Sequence, residues 1–350
     1  MKALLLVGGQ GTRLRPLTIH TPKSIVPIFN RPFLNYQLDL IKRVPEIDEV
    51  ILSLNYQPRR IEEVFGDGRS AGIKMRYVVE PTPLGTAGGI RYASEGVTDT
   101  LVVFNGDVLT HLDLAAVVGL HRERRARATI VLTPVENPSA YGLVETDASG
   151  NILRFVEKPK PDEITCNTIN AGIYVLEPST FDRIPKDVAW SIERSFFPSL
   201  VARGETFVAA IYRDYWIDIG TPEKYIQVHR DIMDGRYLAP PYNGQSGIAW
   251  VSPEARVAAG ARLEAPLFVD EGCVVKAGAR LGPYTVLGRQ CQVDEEANVS
   301  GAIVWPGARI GREAEVRDCI IGRSSRIGRN ASVLQGVLGD KSDIADYSRL

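Results

Sequence analysis

The segment LLLVGGQGTRLRPLT, residues 4–18, joins an apolar run to a loop that is rich in glycine and arginine. Four consecutive apolar residues before a glycine cluster predict a buried strand that ends at the loop. Glycines allow backbone N–H groups to approach an anion closely, and Arg13 and Thr12 add a guanidinium group and a hydroxyl. Lys23, in TPKSIVP, offers a second cation. The pattern therefore indicates either an anion-binding loop or a tight turn with surface arginines.

Two standard phosphate-binding patterns do not fit this loop. A dinucleotide-binding fingerprint needs a third glycine where the chain has Leu14, and a P-loop needs a lysine that closes the glycine-rich segment. Any phosphate chemistry here must therefore follow a different template.

Short apolar runs alternate with amphipathic segments of about ten residues from residue 1 to residue 233. This alternation predicts an α/β domain with a mostly parallel sheet. Ligands of such sheets bind outside the carboxyl ends of the strands, where the opening loop lies. Residues 234–248 are rich in Gly, Pro and polar residues and are interpreted as a linker. We therefore expect a domain at 1–233, a linker at 234–248 and a second domain at 249–350.

Beyond the linker, apolar residues recur every six positions from Val251 to Val299, and the series continues to the end of the chain. From Val299 onward one step in three is five residues long, as at Val299–Val304 and Val316–Ile321, so the short steps recur every 17 residues. Hexapeptide periodicity is typical of a parallel β-helix whose apolar residues point into a three-sided prism. The pattern resembles the left-handed hexapeptide-repeat β-helix.

The composition excludes several classes of partner. The chain of 350 residues has 41 Lys and Arg against 42 Asp and Glu, so no global charge favours nucleic acid or an anionic membrane. The N-terminal apolar run is too short for a signal peptide, and no run approaches a membrane span, so we expect a cytoplasmic protein. The four cysteines lack metal-binding spacing and are interpreted as buried thiols.

The loop and six later segments closely resemble the motifs of the sugar-1-phosphate nucleotidyltransferases. The family signature G-G-x-G-T-R-L-x-P-L-T, followed by P-K, matches Gly8–Thr18 and Pro22–Lys23; Ser24 departs from the commoner P-K-P. The other segments follow in family order: EPTPLGTAGG (80–89), FNGDV (104–108), NPSAYGLVE (137–145), FVEKP (155–159), NAGIYV (170–175) and WIDIGTPEKY (216–225). The resemblance covers residues 1–233 and implies a Rossmann-like fold. It also implies a Mg²⁺-dependent transfer from a nucleoside triphosphate to a sugar-1-phosphate.

The resemblance implies roles for particular residues. Catalysis would rest on Arg13, Lys23 and Asp107, and the metal ligands would be Asp107 and Asp218. The nucleotide would contact Leu6, Gly8, Gly9, Gly11, Thr12, Glu80, Pro83, Gly85 and Thr86. The sugar phosphate would contact Asn105, Gly106, Tyr141, Gly142, Glu157, Lys158 and Asn170. Arg15 and Pro16 are interpreted as structural.

Glu80 bears on the choice of base. A carboxylate only accepts hydrogen bonds, and guanine presents N1–H and its 2-amino group side by side. The overall pattern is most similar to the branch of the family that uses GTP and mannose-1-phosphate. Alternatives in the same class are a uridylyl- or thymidylyltransferase acting on glucose-1-phosphate, or a guanylyltransferase acting on heptose-1-phosphate.

The second domain suggests assembly rather than a second reaction. Hexapeptide acyltransferases generally rely on a histidine, and residues 234–350 contain none. We therefore expect a homo-oligomer formed through the β-helix or the catalytic domain. A catalytically silent regulatory subunit would be expected to lose the cationic residues and aspartates, and this chain retains Arg13, Lys23, Asp107 and Asp218.

Overall fold

The computed structural model describes all residues 1–350, which form two compact units. The first unit comprises Met1–Gln10 and Leu34–Trp216, and the second comprises Gly11–Phe33 and Ile217–Leu350. The boundaries expected from the sequence follow the change of repeat pattern, whereas these units follow the packing and divide the chain at other residues. The sequence-based boundaries stay a prediction.

Six α-helices are present: α1 (Leu34–Ile41), α2 (Pro58–Phe65), α3 (Gly85–Ala93), α4 (Leu114–Glu123), α5 (Phe197–Ala202) and α6 (Pro222–Met233). Residues that favour helix N-termini mark the starts of α4 and α6. Asp113 caps α4 by accepting a hydrogen bond from the Ala116 N–H, and Pro222 begins α6 directly after the N-cap Thr221.

Thirteen strands precede the linker: β1 (Lys2–Leu6), β2 (Pro27–Ile28), β3 (Arg31–Pro32), β4 (Glu49–Leu54), β5 (Lys74–Val79), β6 (Leu101–Asn105), β7 (Val108–Thr110), β8 (Ala128–Pro134), β9 (Gly142–Thr146), β10 (Ile152–Glu157), β11 (Thr168–Leu176), β12 (Phe207–Ile211) and β13 (Trp216–Asp218). Nine of them form one mixed sheet in the first unit, in the order β10-β9-β11-β6-β1-β4-β5, with β8 paired to β11 and β12 paired to β8.

The strands β6, β1, β4 and β5 form a continuous parallel block of this sheet, and β12 pairs in parallel with β8 elsewhere in it. The chain runs from β1 outward to β4 and β5 and then returns to place β6 on the other side of β1. The order therefore reverses between β1 and β6, and this switch point is where open α/β sheets bind ligands. The predicted anion-binding loop starts at this point.

The second unit contains a β-helix built from 17 short strands: β14 (Ala249–Val251), β15 (Arg256–Val257), β16 (Arg262–Leu263), β17 (Leu267–Val269), β18 (Val274–Val275), β19 (Arg280–Leu281), β20 (Thr285–Leu287), β21 (Gln292–Val293), β22 (Asn298–Ser300), β23 (Ile303–Val304), β24 (Arg309–Ile310), β25 (Glu315–Arg317), β26 (Ile320–Ile321), β27 (Arg326–Ile327), β28 (Ser332–Leu334), β29 (Val337–Leu338) and β30 (Asp343–Ile344). Every third strand joins the same parallel sheet, which gives two six-stranded sheets and one five-stranded sheet. This arrangement is consistent with the predicted left-handed β-helix.

The strand register confirms the change of coil length. Leu267 pairs with Thr285, 18 residues later, whereas Ile303 pairs with Ile320, 17 residues later. Buried apolar residues of successive coils fill the prism, and Val293, Ile310 and Ile327 are each fully buried on one side of it. Cys273, Cys291 and Cys319 are buried free thiols, as predicted, and Cys166 is half-buried.

Among the helices, none is both long enough and apolar enough to cross a lipid bilayer.

His229, on α6, lies fully buried in the second unit. Its Nδ1 is 2.9 Å from the Tyr225 carbonyl oxygen, and its Nε2 accepts a hydrogen bond from the Phe29 N–H at 3.2 Å. These partners require a neutral ring that carries its proton on Nδ1. Burial lowers the pKa of His229 from 6.5 to about 4, against a smaller rise from the Tyr225 hydrogen bond.

We expect the buried histidine to make stability depend on pH. The folded pKa lies below the unfolded one, so the unfolded state binds the proton first as the pH falls from about 6.5 towards about 4. Stability from the neutral ring is full above about pH 6.5 and decreases by about 2 kcal/mol by pH ~5. Denaturant midpoints of the wild type and His229→Gln across this range would measure it. Equal pH slopes for the two proteins would contradict the prediction.

Candidate functional site

The carboxyl ends of three parallel strands are held in register in the first unit. Leu6 of β1 lies opposite Ser53 of β4 on one side and opposite Asn105 of β6 on the other. The Val7 N–H donates to the Ser53 carbonyl at 3.0 Å, and the Gly106 N–H donates to the Leu6 carbonyl at 3.0 Å. Leu6, Asn105 and Gly106 thus lie together at the predicted ligand edge.

Glycine is required at Gly106 by this close approach. A Cβ atom there would lie 2.5 Å from the Leu6 carbonyl oxygen, which is shorter than any ordinary contact. A Cβ on Gly8 would lie 3.0 Å from the Asn55 nitrogen, whereas no atom lies within 4 Å of a Cβ on Gly9. The backbone at Gly9 is therefore open to a ligand, as a phosphate-binding role would require.

Glu80 follows β5, and its carboxylate is fixed by two hydrogen bonds. Oε1 accepts from the Ser53 hydroxyl at 2.8 Å, and Oε2 accepts from the Leu84 N–H at 2.9 Å. A Cβ on Gly89 of α3 would lie 2.7 Å from Oε1, so the carboxylate rests against the helix. Each oxygen keeps a further lone pair for another donor. Pro83 lies in the connection between Glu80 and α3.

Gly85 and Thr86 begin α3 and pack against residues 190–193. Gly85 has a φ of 68°, and a Cβ there would lie 2.9 Å from the Trp190 carbonyl oxygen. The Thr86 hydroxyl donates to Glu193 Oε2 at 3.1 Å and accepts from the Ile192 N–H at 2.7 Å. The structure therefore uses this hydroxyl to position the start of α3.

Four predicted sugar-side residues meet where β9 begins and β10 ends. Gly142 lies opposite Glu157, and the Lys158 N–H donates to the Tyr141 carbonyl at 3.0 Å. A Cβ on Gly142 would lie 3.0 Å from Glu157 Oε2. The Tyr141 ring packs edge-on against Trp216, with the centroids 5.7 Å apart.

The surroundings of Glu157 shift the pKa of its carboxylate. Burial, with a smaller contribution from the negative charge of Glu193, raises the pKa of Glu157. The same two causes hold the pKa of Tyr174 well above 10. Glu193 therefore acts electrostatically on Glu157 and Tyr174 and binds Thr86.

Asn170 and Asn105 lie close to the bend of β11 at Gly172. Asn170 Nδ2 donates to the Tyr174 hydroxyl at 2.9 Å, and its Oδ1 accepts from the Gly172 N–H at 2.9 Å. A Cβ on Gly172 would lie 2.8 Å from Asn105 Nδ2. Two predicted sugar-phosphate residues are thus brought together by the sheet.

Asp107 is half-buried in the turn between β6 and β7. Gln37 of α1 holds both ends of this turn, because its Nε2 donates to the Asn105 carbonyl at 2.8 Å and the Val108 carbonyl at 2.9 Å. The backbone position of Asp107 is therefore set by a buried side chain of a different element.

The second half of the signature loop belongs to the second unit. Gly11 has a φ of 60°, and a Cβ there would lie 3.1 Å from Thr18 Cγ2 and 3.2 Å from Lys23 Cβ. The Thr18 hydroxyl donates to the Gly11 carbonyl at 2.7 Å. Thr12 and Arg13 then form a single 3₁₀ turn, Thr12–Leu14. Glycine at this position allows the turn carrying Arg13 to lie directly against Lys23.

Arg13 and Asp218 meet at Gly220 in the second unit. A Cβ on Gly220 would lie 3.0 Å from Arg13 Nη2 and 2.8 Å from Asp218 Oδ2. Lys224 of α6 donates through Nζ to Asp218 Oδ1. The Asp218 side chain is only 12% exposed. Two cations therefore lie beside one predicted metal ligand, and this arrangement can neutralise an anion or hold the aspartate in place.

Sequence reasoning missed three residues of these clusters, Gln37, Glu193 and Lys224. Gln37 is a polar residue on the otherwise apolar face of a predicted helix, which was a usable signal. Lys224 lies within the WIDIGTPEKY segment, yet nothing in its spacing marks a partner for Asp218. No motif or spacing in the sequence around Glu193 marked it as a site residue.

Comparison with known proteins places these features in a family. The nucleotidyl transferase family profile matches residues 2–235, and the GMPPB C-terminal domain profile matches residues 250–350. A Mycobacterium tuberculosis protein named mannose-1-phosphate guanylyltransferase is 39% identical over 88% of this chain and 80% of its own length. A Synechocystis protein named UTP–glucose-1-phosphate uridylyltransferase is 32% identical over 89% of this chain and 84% of its own length.

A solved structure is also similar. HddC from Yersinia pseudotuberculosis, in complex with GMP-PN, matches with a TM-score of 0.57 and 28% identity. The match covers 66% of this chain and 99% of that one.

The two glycines at the sheet edge give a matched pair of variants. Gly106→Ala is expected to lower the free energy of unfolding by about 1–3 kcal/mol or more, because its Cβ meets the Leu6 carbonyl oxygen. Gly9→Ala should change it by no more than about 0.5 kcal/mol and should instead weaken nucleotide binding by blocking backbone approach. Thermal unfolding and nucleotide titration would measure both. A wild-type melting temperature for Gly106→Ala would refute the expectation.

Proposed function

The chain belongs to the nucleotidyl transferase family, and on that premise we propose that it transfers a guanylyl group from GTP to mannose-1-phosphate. The products would be GDP-mannose and pyrophosphate. The observation that carries this choice is the 39% identity to a mannose-1-phosphate guanylyltransferase over most of both chains. The similarity to HddC, solved with GMP-PN, supports a guanine nucleotide.

The reaction is an in-line displacement at phosphorus. A phosphate oxygen of the sugar-1-phosphate forms a bond to the α-phosphorus of GTP, the bond from that phosphorus to the bridging oxygen breaks, and pyrophosphate leaves with the electron pair. The nucleophile is already ionised near neutral pH, so the protein needs no general base. Its tasks are to align two anions and to neutralise their repulsion.

We assign the neutralisation of the triphosphate charge to two cations, Arg13 in the signature loop and Lys23 after it. Arg13 offers a planar fork of donors, and Lys23 offers a compact ammonium group. The backbone of Gly8, Gly9, Gly11 and Thr12 would bring N–H groups to the triphosphate. The close packing of Gly11 against Thr18 and Lys23 supports this role, because a phosphate site gains most from groups that are already in place.

The sugar side would use the groups gathered around β9, β10 and β11. Lys158 would neutralise the sugar phosphate, and Glu157 would accept hydrogen bonds from sugar hydroxyls. Asn105, Gly106, Tyr141, Gly142 and Asn170 would complete the contacts. The raised pKa of Glu157 reflects a desolvated carboxylate, and such a group gains more from a hydroxyl donor than an exposed one does.

Members of this family generally use a divalent metal, and we propose Mg²⁺ with Asp107 and Asp218 as its protein ligands. Their carboxylate oxygens are hard donors, and Mg²⁺ commonly takes one or two carboxylates together with phosphate and water oxygens. When bound, the ion would offset the charge that develops on the phosphate oxygens. Lys224 and Arg13 already show that Asp218 stands in a cationic setting.

The proposal also covers the oligomeric state of the protein and its location in the cell. The exposed edges of a β-helix favour self-association, so a homo-oligomer formed through the β-helix or the catalytic domain stays a prediction. A cytoplasmic location also stays a prediction.

The direct test measures pyrophosphate release over a matrix of GTP, UTP, dTTP, ATP and CTP against mannose-, glucose- and heptose-1-phosphate with Mg²⁺. We expect the highest kcat/KM for GTP with mannose-1-phosphate. No release with any pair would refute a transferase, and a preference for UTP or dTTP would refute the guanylyl assignment. A preference for heptose-1-phosphate would refute the assignment of mannose-1-phosphate and leave the guanylyl assignment standing.

Glu80→Gln tests the assignment of the base-binding carboxylate. The amide can keep both existing contacts, because its oxygen can accept from Leu84 and its nitrogen can donate to the Ser53 hydroxyl. The lost charge should weaken acceptance from guanine, so the GTP-to-UTP ratio of kcat/KM should fall by roughly 10-fold or more. Glu95→Gln, at an exposed side chain beyond α3, is the matched control. An unchanged GTP-to-UTP ratio of kcat/KM in Glu80→Gln would refute the proposed role of Glu80 in guanine recognition.

A further inference from the structure

The loop Gly11–Phe33 has little regular structure of its own. It forms three single 3₁₀ turns, Thr12–Leu14, Leu17–Ile19 and Lys23–Ile25, and the two-residue strands β2 and β3. Such segments retain many conformations unless other parts of the chain hold them. The groups that hold this loop within the second unit therefore determine where Arg13 and Lys23 stand.

A chain of two hydrogen bonds links the β-helix to the loop. Trp305, in the coil after β23, donates through Nε1 to the Tyr225 hydroxyl at 3.1 Å. The Tyr225 hydroxyl in turn donates to the Pro27 carbonyl oxygen. Trp305 and Tyr225 are almost completely buried, so water cannot replace either bond without cost. Pro27 follows the Lys23–Ile25 turn, in which the Val26 N–H donates to the Lys23 carbonyl at 3.3 Å.

An aromatic socket, formed by His229, Tyr242 and Phe268, receives the tip of the β2–β3 hairpin. The Phe29 ring lies 5.0 Å from the rings of His229 and Phe268 and 5.4 Å from that of Tyr242, centroid to centroid. The Phe29 side chain is only 3% exposed. Aromatic pairs at these distances stabilise beyond simple burial. The hairpin tip is therefore anchored by α6, the linker and the second coil of the β-helix.

A third contact lies near the other end of the loop. A Cβ on Gly339, after β29, would lie 3.2 Å from Pro16 Cβ. Pro16 lies two residues after the turn that carries Arg13, with Arg15 between them. The β-helix thus contacts the loop beside both of its cationic turns.

We propose that the β-helix is a positioning part of the triphosphate site, and that Trp305, acting through Tyr225, sets the position of the Lys23 turn. The inference rests on the proposed role of Lys23 and Arg13 in binding the triphosphate. Cations contribute most to such a site when their positions are fixed before the substrate arrives, because no free energy is then spent on ordering them. The second domain then has a role in substrate binding that is separate from assembly.

Trp305→Phe and Tyr225→Phe test this proposal, because each removes one hydrogen bond and keeps an aromatic ring. The lost bond should raise the KM for GTP about 2- to 10-fold. The KM for mannose-1-phosphate should stay within about twofold of wild type, because the chain of hydrogen bonds from Trp305 ends on the loop and not on a residue assigned to the sugar phosphate. The two substitutions together should have less than additive effects, since they interrupt one chain. Tyr347→Phe, at a β-helix tyrosine that is 60% exposed, is the matched control.

Hydrogen exchange supplies a readout that needs no substrate. In Trp305→Phe, amides of the loop such as Val26 and Phe33 should exchange faster than in the wild type, while amides of β1 and β6 should not change. Unchanged loop exchange, or an unchanged KM for GTP in both variants, would overturn the proposal. A wild-type protein without turnover would instead refute the proposed function, and the exchange experiment would still decide whether the β-helix holds the loop.

Discussion

The parallel pairing of β1 with β4 and β6 is the constraint on which the first unit depends. Because Leu6, Ser53 and Asn105 lie in register, the segments that follow these strands all emerge at one edge of the sheet. Gly106 permits that register, since any larger residue would push against the Leu6 carbonyl. The fixed carboxylate of Glu80 and the turn that carries Asp107 are then placed by the ends of strands rather than by loops of their own.

The positive charge that the phosphorylated substrates require comes from local groups of side chains and not from the net charge of the chain. The chain as a whole is almost neutral, with a formal net charge of −1, yet its reaction brings together two polyanions. Arg13, Lys23 and Lys224 supply positive charge in the second unit, while Lys158 stands beside a desolvated carboxylate in the first. A chain with almost no net charge, whose cations are grouped locally, suits small phosphorylated substrates and gives no general attraction for nucleic acid.

The parts of the fold that could be predicted are those written in local periodicity. The run before Gly8 predicted β1, and the six-residue spacing predicted the β-helix, including its change to a 17-residue coil. The packing of Gly11–Phe33 with the second unit could not be predicted, because Phe29 contacts residues some 200 positions away and no local pattern encodes that. For the same reason Glu193 was missed, since it reaches Thr86 across 107 residues. Gln37 could have been found, because a polar residue on an apolar helix face needs buried partners.

The anchoring of the Phe29 hairpin also bears on how the chain acquires its structure during synthesis. The loop leaves the ribosome early, but its partner His229 follows 200 residues later, on the order of 10 to 40 s at ~5–20 residues per second. Trp305 follows later still. The segment Gly11–Phe33 is thus among the first parts of the chain to be made, and its packing partners are among the last. On the proposed role of the β-helix, a nascent chain without it has the signature sequence but lacks the contacts that hold the Lys23 turn, and we expect it to bind its nucleotide only when translation is nearly complete.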